Sequence, residues 1–316
     1  LLQAGGRRAL AVGNIGTPLS AIALQEPRPE WLAIEFSSFQ LHDCPLVNPA
    51  VGILTNLSPD HLDRYPALEA YYADKRLLFA RAHEGSVWVT NADDPESERL
   101  TEGVQGRRLR FSVRDQAAGW YDRERGRLML GDEALLARDQ LHLLGDHNVA
   151  NALAAALAVA AAGIPVSVLA EGLRSFRALQ HRLEPVREVD GVLWVNDSKA
   201  TNVSSTEVAV AALERPFVLL LGGRHKGEPY TRLAPLLQDQ CRAVVAYGEA
   251  RPIVQADLAG GVRVVPGEGF AHVLETAASL AQPGDAVLLS PACSSYDMFQ
   301  NYEERGATFR AWVEAR

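Results

Sequence analysis

From residue 179 to the end of the chain, apolar runs begin near Val192, Phe217, Ala243, Val262 and Ala286. The intervals are close to one strand plus one crossover helix, and helical stretches such as Thr206–Leu213 and Ala271–Ala281 fill them. That alternation predicts βαβ units and a doubly wound parallel sheet. Sheets of this kind place their ligand-handling groups just beyond the carboxyl ends of their strands. The residues that follow each run are therefore the first to search.

The first half has a different texture. Strand-like runs (Trp31–Glu35, Val51–Thr55, Ser86–Asn91) mix with helical segments at Ala67–Ala82 and Asn148–Ala162. Val104–Leu141 reads as a small antiparallel appendage of short strands and turns. A length of 316 residues fits two domains, and Arg177–Leu183 is the expected boundary, giving domains 1–178 and 179–316. Leu1–Gly6 resembles the tail of a helix with a glycine stop, so further sequence is expected upstream.

Charge narrows the partners. A net charge of −8 argues against a general binder of nucleic acid or anionic membranes. The Ala-rich stretch Val149–Ala162 is too short and weakly apolar to span a bilayer. Cys44, Cys241 and Cys293 are far apart, odd in number and without metal-like spacing, which fits a reduced, cytoplasmic setting.

The run at Val192 leads into Val195–Asn202, V-N-D-S-K-A-T-N. Asp197 can accept hydrogen bonds from a sugar or hold a cation, and Lys199 supplies a mobile positive charge. The same window also reads as a plain connection in which Ser204 or Thr206 caps the next helix. Leu221–Gly227, L-G-G-R-H-K-G, is a glycine turn with several cationic side chains. Ser290–Asp297, S-P-A-C-S-S-Y-D, follows the last run, and Arg182 sits in Q-H-R-L-E at the domain junction. In a doubly wound sheet the turns after Val192, Phe217 and Ala286 share one carboxyl edge and can converge. A Ser-His-Asp hydrolase is less attractive, because no G-x-S-x-G elbow occurs.

In the first half, I-L-T-N-L-S-P-D-H-L-D (53–63) runs from a strand into a loop where His61 with Asp60 could bind a divalent ion, or where Asp60 or Asp63 merely caps the helix near Leu68. Glu35 ends an apolar run and is costly to bury unless paired or cation-bound. Lys75 reads as an ordinary helix lysine on periodicity alone. Gly13–Pro18 could bring backbone amides near a ligand. Asn148 and Asn151 share a helix face and could read a purine edge, or cap. No G-x-x-x-x-G-K-[ST] or G-x-G-x-x-G occurs.

Taken in order, these segments resemble the Mur ligases over essentially the whole chain. The likeness rests on G-N-I-G (13–16), E-F-S-S-F-Q-L (35–41), L-S-P-D-H-L-D-R-Y-P (57–66), V-T-N-A-D-D (89–94) and H-N-V-A-N-A-L (147–153). It continues through H-R-L-E (181–184), N-D-S-K-A-T-N (196–202), L-G-G-R-H-K-G (221–227) and the segment 290–306. S-S-F-Q-L and S-P-A-C-S-S point to the D-glutamate-adding branch. The resemblance implies a P-loop-NTPase-like α/β central domain and a Rossmann-like doubly wound C-terminal domain. It implies a monomer that uses ATP to join UDP-N-acetylmuramoyl-L-alanine and D-glutamate through an acyl phosphate.

The same resemblance assigns roles. Glu35 corresponds to a ligand of one Mg²⁺, His61 to a ligand of a second, and Lys75 to a carbamylated lysine, an anionic oxygen donor of the kind Mg²⁺ prefers. Asn148 and Asn151 correspond to adenine-side positions, Arg182 to a phosphate contact and Asp197 to a ribose contact. Asn14 and His61 lie near the muramoyl-alanine end. Lys199, Thr201, Lys226, Ser295 and Tyr302 fall in the D-glutamate region, Tyr302 replacing the usual Phe with its stacking surface intact.

The departure is at the front: such ligases carry a UDP-binding domain and a G-K-[ST] phosphate loop ahead of the point where this chain starts. Two other readings therefore stay open. One is a non-catalytic nucleotide- or D-glutamate-binding remnant, the other a different Mur-type amino-acid ligase.

Overall fold

Two apolar runs near the amino end pair in parallel, β1 (Ala9–Gly13) with β2 (Trp31–Glu35), in register from Ala9 opposite Trp31 to Gly13 opposite Glu35. The structure is a computed structural model that describes residues 1–59 and 64–316. The chain divides into two units. Leu1–His142 with His147–Phe176 form the first, and Leu143–Asp146 with Arg177–Arg316 the second.

A second sheet of the first unit runs in order through β3 (Val51–Leu54), β4 (Val87–Asn91), β5 (Arg107–Ser112), β6 (Gly119–Asp122), β7 (Arg127–Leu130) and β8 (Glu133–Ala137). Pairing is parallel from β3 to β6 and antiparallel from β6 to β8. The expected antiparallel appendage is thus continuous with the parallel sheet and begins one strand later. At the end of β5 the Asp93 carboxylate accepts from Val113 N at 2.7 Å and Ser112 Oγ at 2.6 Å, tying the residues after β4 to those after β5. Leu54, Leu57, Tyr71, Tyr72, Phe79 and Trp88 form a core in this unit. The Ala-rich helix Asp146–Ala161 buries Val149, Leu153, Ala156 and Leu157.

The second unit holds β9 (Glu184–Val189), β10 (Val192–Asn196), β11 (Phe217–Gly222), β12 (Cys241–Tyr247), β13 (Val264–Pro266) and β14 (Ala286–Leu289). Their order is β13-β12-β11-β14-β10-β9, with every pair parallel except β10 with β9. β9 was not among the five expected strands. Its sequence E-P-V-R-E-V is too polar to read as a core strand, yet it suits an edge, where Pro185 is tolerated. Asp190 and Gly191, both at positive φ, close the β9–β10 hairpin.

The apolar runs are buried on both faces, as a parallel sheet requires. Val195, Phe217, Leu219, Leu221, Val244 and Leu288 pack on one side. Trp194, Val218, Leu220, Val245, Val287 and Leu289 pack on the other with the helices Phe270–Leu280 and Tyr302–Glu314. At about 25 cal/mol per Å² of apolar surface removed from water, this two-sided burial dominates the unit's stability.

Candidate functional site

β11, β14 and β10 are consecutive neighbours running parallel, so the turns that follow them lie side by side on one edge. Backbone bonds stitch them together. Asp197 N donates to Leu289 O at 2.8 Å, Gly222 N to Pro291 O at 3.1 Å, and Arg224 N to Ser294 O at 2.9 Å. A Cβ on Gly223 (φ +130°) would sit 2.3 Å from Ser294 O, so this seam requires glycine. The convergence expected from the sequence is present in the fold.

Asp197 is the most constrained acid on that edge, at 7% exposure. Its Oδ1 accepts from Leu183 N at 3.1 Å and its Oδ2 from Ser290 Oγ at 2.8 Å. Burial pushes its pKa up to about 7, against the opposing pull of these hydrogen bonds and of the Arg182 charge. Thr206, expected as a possible helix cap, instead lies buried and donates to Ser290 O at 3.2 Å. The cap of Val203–Ala211 is Asn202, whose Oδ1 accepts from Ser205 N at 2.8 Å.

Arg182 is the exposed member of a turn whose other side chains point inward. His181 and Leu183 flank it, both buried and both at positive φ (64° and 40°), a backbone choice that costs energy and marks an imposed geometry. Glu184 holds the turn, its Oε2 accepting from His181 N at 3.0 Å while Oε1 pairs with Arg310. Asn196 Nδ2 lies 3.0 Å from His181 Nδ1, and burial lowers the imidazole's pKa, which fits a neutral ring accepting there. Gly306 makes the packing possible, since a Cβ would fall 2.1 Å from His181 Nδ1.

Tyr302 begins the next helix with its ring edge-on to His181, at 6.1 Å between centroids. Lys199 Nζ stands 5.5 Å from the same ring's centroid, a cation–π contact that orients an exposed lysine. Lys226 is exposed on the turn after β11, and Ser295 is buried on the turn after β14. Thr201 is half-buried just ahead of the Asn202 cap. Six of the seven candidates of the second unit therefore belong to this edge or to the H-R-L-E turn bonded to it, and the seventh, Tyr302, starts the following helix with its carbonyl accepting from Ser198 Oγ at 2.8 Å.

One residue was missed. Arg305 is fully buried, and its guanidinium donates to Ser198 Oγ, Ser198 O and Cys293 O. It ties the turn after β10 to the turn after β14. In sequence it is one charge in N-Y-E-E-R-G, and no local pattern distinguishes it from a surface arginine.

The first unit carries the remaining candidates. The register of β1 with β2 sets Asn14 beside Glu35, with Asn14 N donating to Glu35 O at 2.8 Å and Nδ2 to Glu35 Oε1 at 2.9 Å. S-S-F-Q proves to be a capping box. Gln40 N donates to Ser37 Oγ, and Ser37 N to Gln40 Oε1, at the start of the helix Ser38–Asp43. That helix binds Leu68–Arg76 through His42 Nδ1 and Asp74 Oδ1 at 2.9 Å, and Tyr65 OH donates to Asp74 Oδ2 at 2.9 Å. Lys75 follows, half-buried, with Nζ 5.7 Å from the Tyr71 ring centroid. Its helix starts at Ala67 without a side-chain cap.

Asn151 Nδ2 reaches Asn148 Oδ1 at 3.4 Å on the helix Asp146–Ala161, so these two carboxamides also share a face. His61, with Asp60 and Asp63, lies outside the described residues.

Among the described residues no three His, Cys, Asp or Glu side chains gather as a metal cage. A lone carboxylate still suits Mg²⁺, which keeps waters and takes one or two protein carboxylates plus substrate phosphates. Glu35 fits, being an exposed hard oxygen donor oriented by Asn14. No helix among the described residues is long and apolar enough to cross a membrane.

Known proteins extend these observations. The Mur ligase middle domain matches residues 11–159, and the Mur ligase glutamate ligase domain matches residues 181–293. The UDP-N-acetylmuramoylalanine–D-glutamate ligase of Salinibacter ruber is 44% identical over 98% of this chain and 69% of its own length. The enzyme of the same name from Anaeromyxobacter dehalogenans is 41% identical over 98% of this chain and 70% of its own. Among solved structures, MurF ligase from Thermotoga maritima in complex with ADP superposes with a TM-score of 0.73 at 19% identity, covering 100% of this chain and 76% of that one. Fold, domain matches and identity agree: the chain belongs to the Mur ligases, a family of ATP-dependent ligases, and carries their middle and glutamate-ligase domains.

Proposed function

We propose that this protein joins D-glutamate to UDP-N-acetylmuramoyl-L-alanine at the expense of ATP, in peptidoglycan precursor synthesis. The observation that carries the reading is the edge where Asp197, Lys199, Lys226 and Ser295 occupy three neighbouring turns. Identity of 41–44% to ligases of that name supports it.

In the first step the alanyl carboxylate attacks the γ-phosphorus, the bond to the bridging oxygen breaks and ADP leaves. In the second, the D-glutamate amine attacks the acyl-phosphate carbonyl, the C–O bond to phosphate breaks, and the nitrogen sheds a proton. Such chemistry asks the protein mainly for positioning and for cationic groups near the transferring phosphoryl.

Arg182 is suited to phosphate by its exposed guanidinium. Asp197 is suited to a ribose hydroxyl, and Asn148 and Asn151 to an adenine edge. Lys226, Ser295, Thr201 and Lys199 over the Tyr302 ring would hold D-glutamate, with cations for its carboxylates. Asn14 would face the muramoyl-alanine end.

Glu35 would hold one Mg²⁺, and Lys75, as a carbamate, would join His61 at a second. Bound Mg²⁺ supplies charge neutralisation at the phosphates. Lys75 would first condense its neutral amine with CO₂, releasing one proton. ATP and a UDP-linked precursor place the reaction in the cytoplasm, and a monomer suffices for it.

The test is phosphate release with substrates omitted in turn. The reading expects release only when ATP, UDP-N-acetylmuramoyl-L-alanine and D-glutamate are all present. Release with another amino acid in place of D-glutamate would make it a different Mur-type ligase. Nucleotide binding with no release under any condition would make it a remnant.

A further inference from the structure

Tyr230 belongs to no candidate set, yet it is only 1% exposed and has polar contacts at both ends. Its hydroxyl lies 2.8 Å from Cys293 Sγ and 3.0 Å from His225 Nδ1, and its backbone N donates to Asp257 Oδ2 at 2.8 Å. With a single proton, the phenol can donate to one of its two hydroxyl contacts while accepting from the other. The His225 ring packs against the phenol at 5.3 Å between centroids. His225 sits on the turn after β11, directly before Lys226. Cys293 sits on the turn after β14, two residues before Ser295.

We infer that the Tyr230 hydroxyl is a positioning group for amino-acid recognition, fixing the Lys226 turn against the Ser295 turn through His225 and Cys293. This rests on the reading that Lys226 and Ser295 receive D-glutamate. The backbone bonds between Arg224 and Ser294 fix the base of the turn. Beyond them, from His225 to Gly227, the chain leaves the β11–β14 seam; the His225–Tyr230 contact anchors its start, and Glu228 just after it accepts from Val203 N at 3.3 Å. Burial raises the pKa of both Tyr230 and Cys293, so the pair stays neutral and acts as a strut, not as a proton shuttle.

Tyr230→Phe keeps the ring and removes only the hydroxyl. The expected result is a KM for D-glutamate raised about fivefold or more, with kcat and the KM for ATP changed less than about twofold, since ground-state orientation is lost and not chemistry. His225→Ala should give the same split, His225→Gln should restore part of it, and the double variant should be no worse than either single one. Amide hydrogen exchange on the same variants should quicken at residues 225–227 and stay unchanged within β11.

Unchanged exchange together with an unchanged D-glutamate KM in Tyr230→Phe overturns the inference. A Lys226→Ala control separates the two levels. If it leaves the D-glutamate KM unchanged, the assignment of that site fails; if it raises KM while Tyr230→Phe does not, only the strut fails.

Discussion

Arg305 and Ser198, 107 residues apart, are joined twice: Nε donates to the Ser198 hydroxyl at 3.0 Å and Nη2 to its carbonyl at 2.8 Å. The same guanidinium reaches the Cys293 carbonyl at 3.2 Å. A fully buried cation that directs its donors at two loop carbonyls and a loop hydroxyl fixes those loops. Ser198 lies between Asp197 and Lys199, and Cys293 lies two residues before Ser295, so this one side chain sets two of the turns that bear candidate ligand groups.

Replacing Arg305 by Met should therefore destabilise the protein by about 2–4 kcal/mol, because several buried oxygens lose their donors at once. Lys should recover only part of this, since one ammonium cannot span Ser198 and Cys293 in the geometry of a planar fork. Chemical denaturation of the three proteins decides it; a midpoint for the Met variant equal to the parent's would show that the guanidinium contributes nothing net.

Asp197 should make stability fall as pH rises. Its folded pKa of about 7 lies above the ordinary 3.8, so the folded state binds the proton more tightly than the unfolded chain. The contribution is fully present below about pH 4 and is lost as pH climbs through 7. Asp197→Asn removes the titration, and the amide can still accept from Leu183 N while donating to Ser290 Oγ. Thermal melts at pH 5 and pH 8 should differ less in the variant than in the parent; an equal difference would mean that Asp197 does not titrate in that window.

What was readable in the sequence follows from range. β10, β11, β12 and β14 are largely apolar runs at regular intervals, and burial on both faces leaves such runs few alternatives. The candidate edge then follows from topology, because parallel neighbours place their carboxyl-end turns together. β9 was hidden by its polarity. Thr206 was misread because its partner Ser290 is 84 residues away, and Arg305 because Ser198 is 107 away. A local window sees a hydroxyl and a charge in both places. The capping box at Ser37 and Gln40 is local, since its two partners stand three residues apart within S-S-F-Q.

Asp94 should be worth more than an ordinary helix cap. Its Oδ2 accepts from Ser97 N at 3.2 Å, capping Pro95–Leu100, and from Leu57 N at 2.8 Å, in the segment that leads toward His61. Asp94→Ala removes the cap and orphans the Leu57 amide, a combined loss of about 2–3 kcal/mol. Asp94→Asn keeps an acceptor and should lose less than half of that. Calorimetric melts check the order; if Ala and Asn cost the same, the charge and not the hydrogen bonding is what matters.

Lys75 distinguishes a structural lysine from a chemically modified one. Its Nζ lies over the Tyr71 ring, and the preceding Asp74 is tied to His42 and Tyr65, so the backbone that carries it is fixed from both sides. If the amine serves only packing, Lys75→Ala should lower the melting temperature and leave kcat nearly intact. If it serves as a carbamate, the loss falls on turnover, because an anionic oxygen ligand disappears from a magnesium shell. The expected outcome is loss of most phosphate release in Lys75→Ala with little change in melting temperature. Added formate or acetate should restore part of the turnover by returning a carboxylate to the vacated space. Depleting CO₂ from the parent enzyme should lower its rate, and adding bicarbonate should recover it. Turnover of Lys75→Ala equal to the parent's, or a defect indifferent to every short carboxylate and to CO₂, would remove the carbamate from the mechanism.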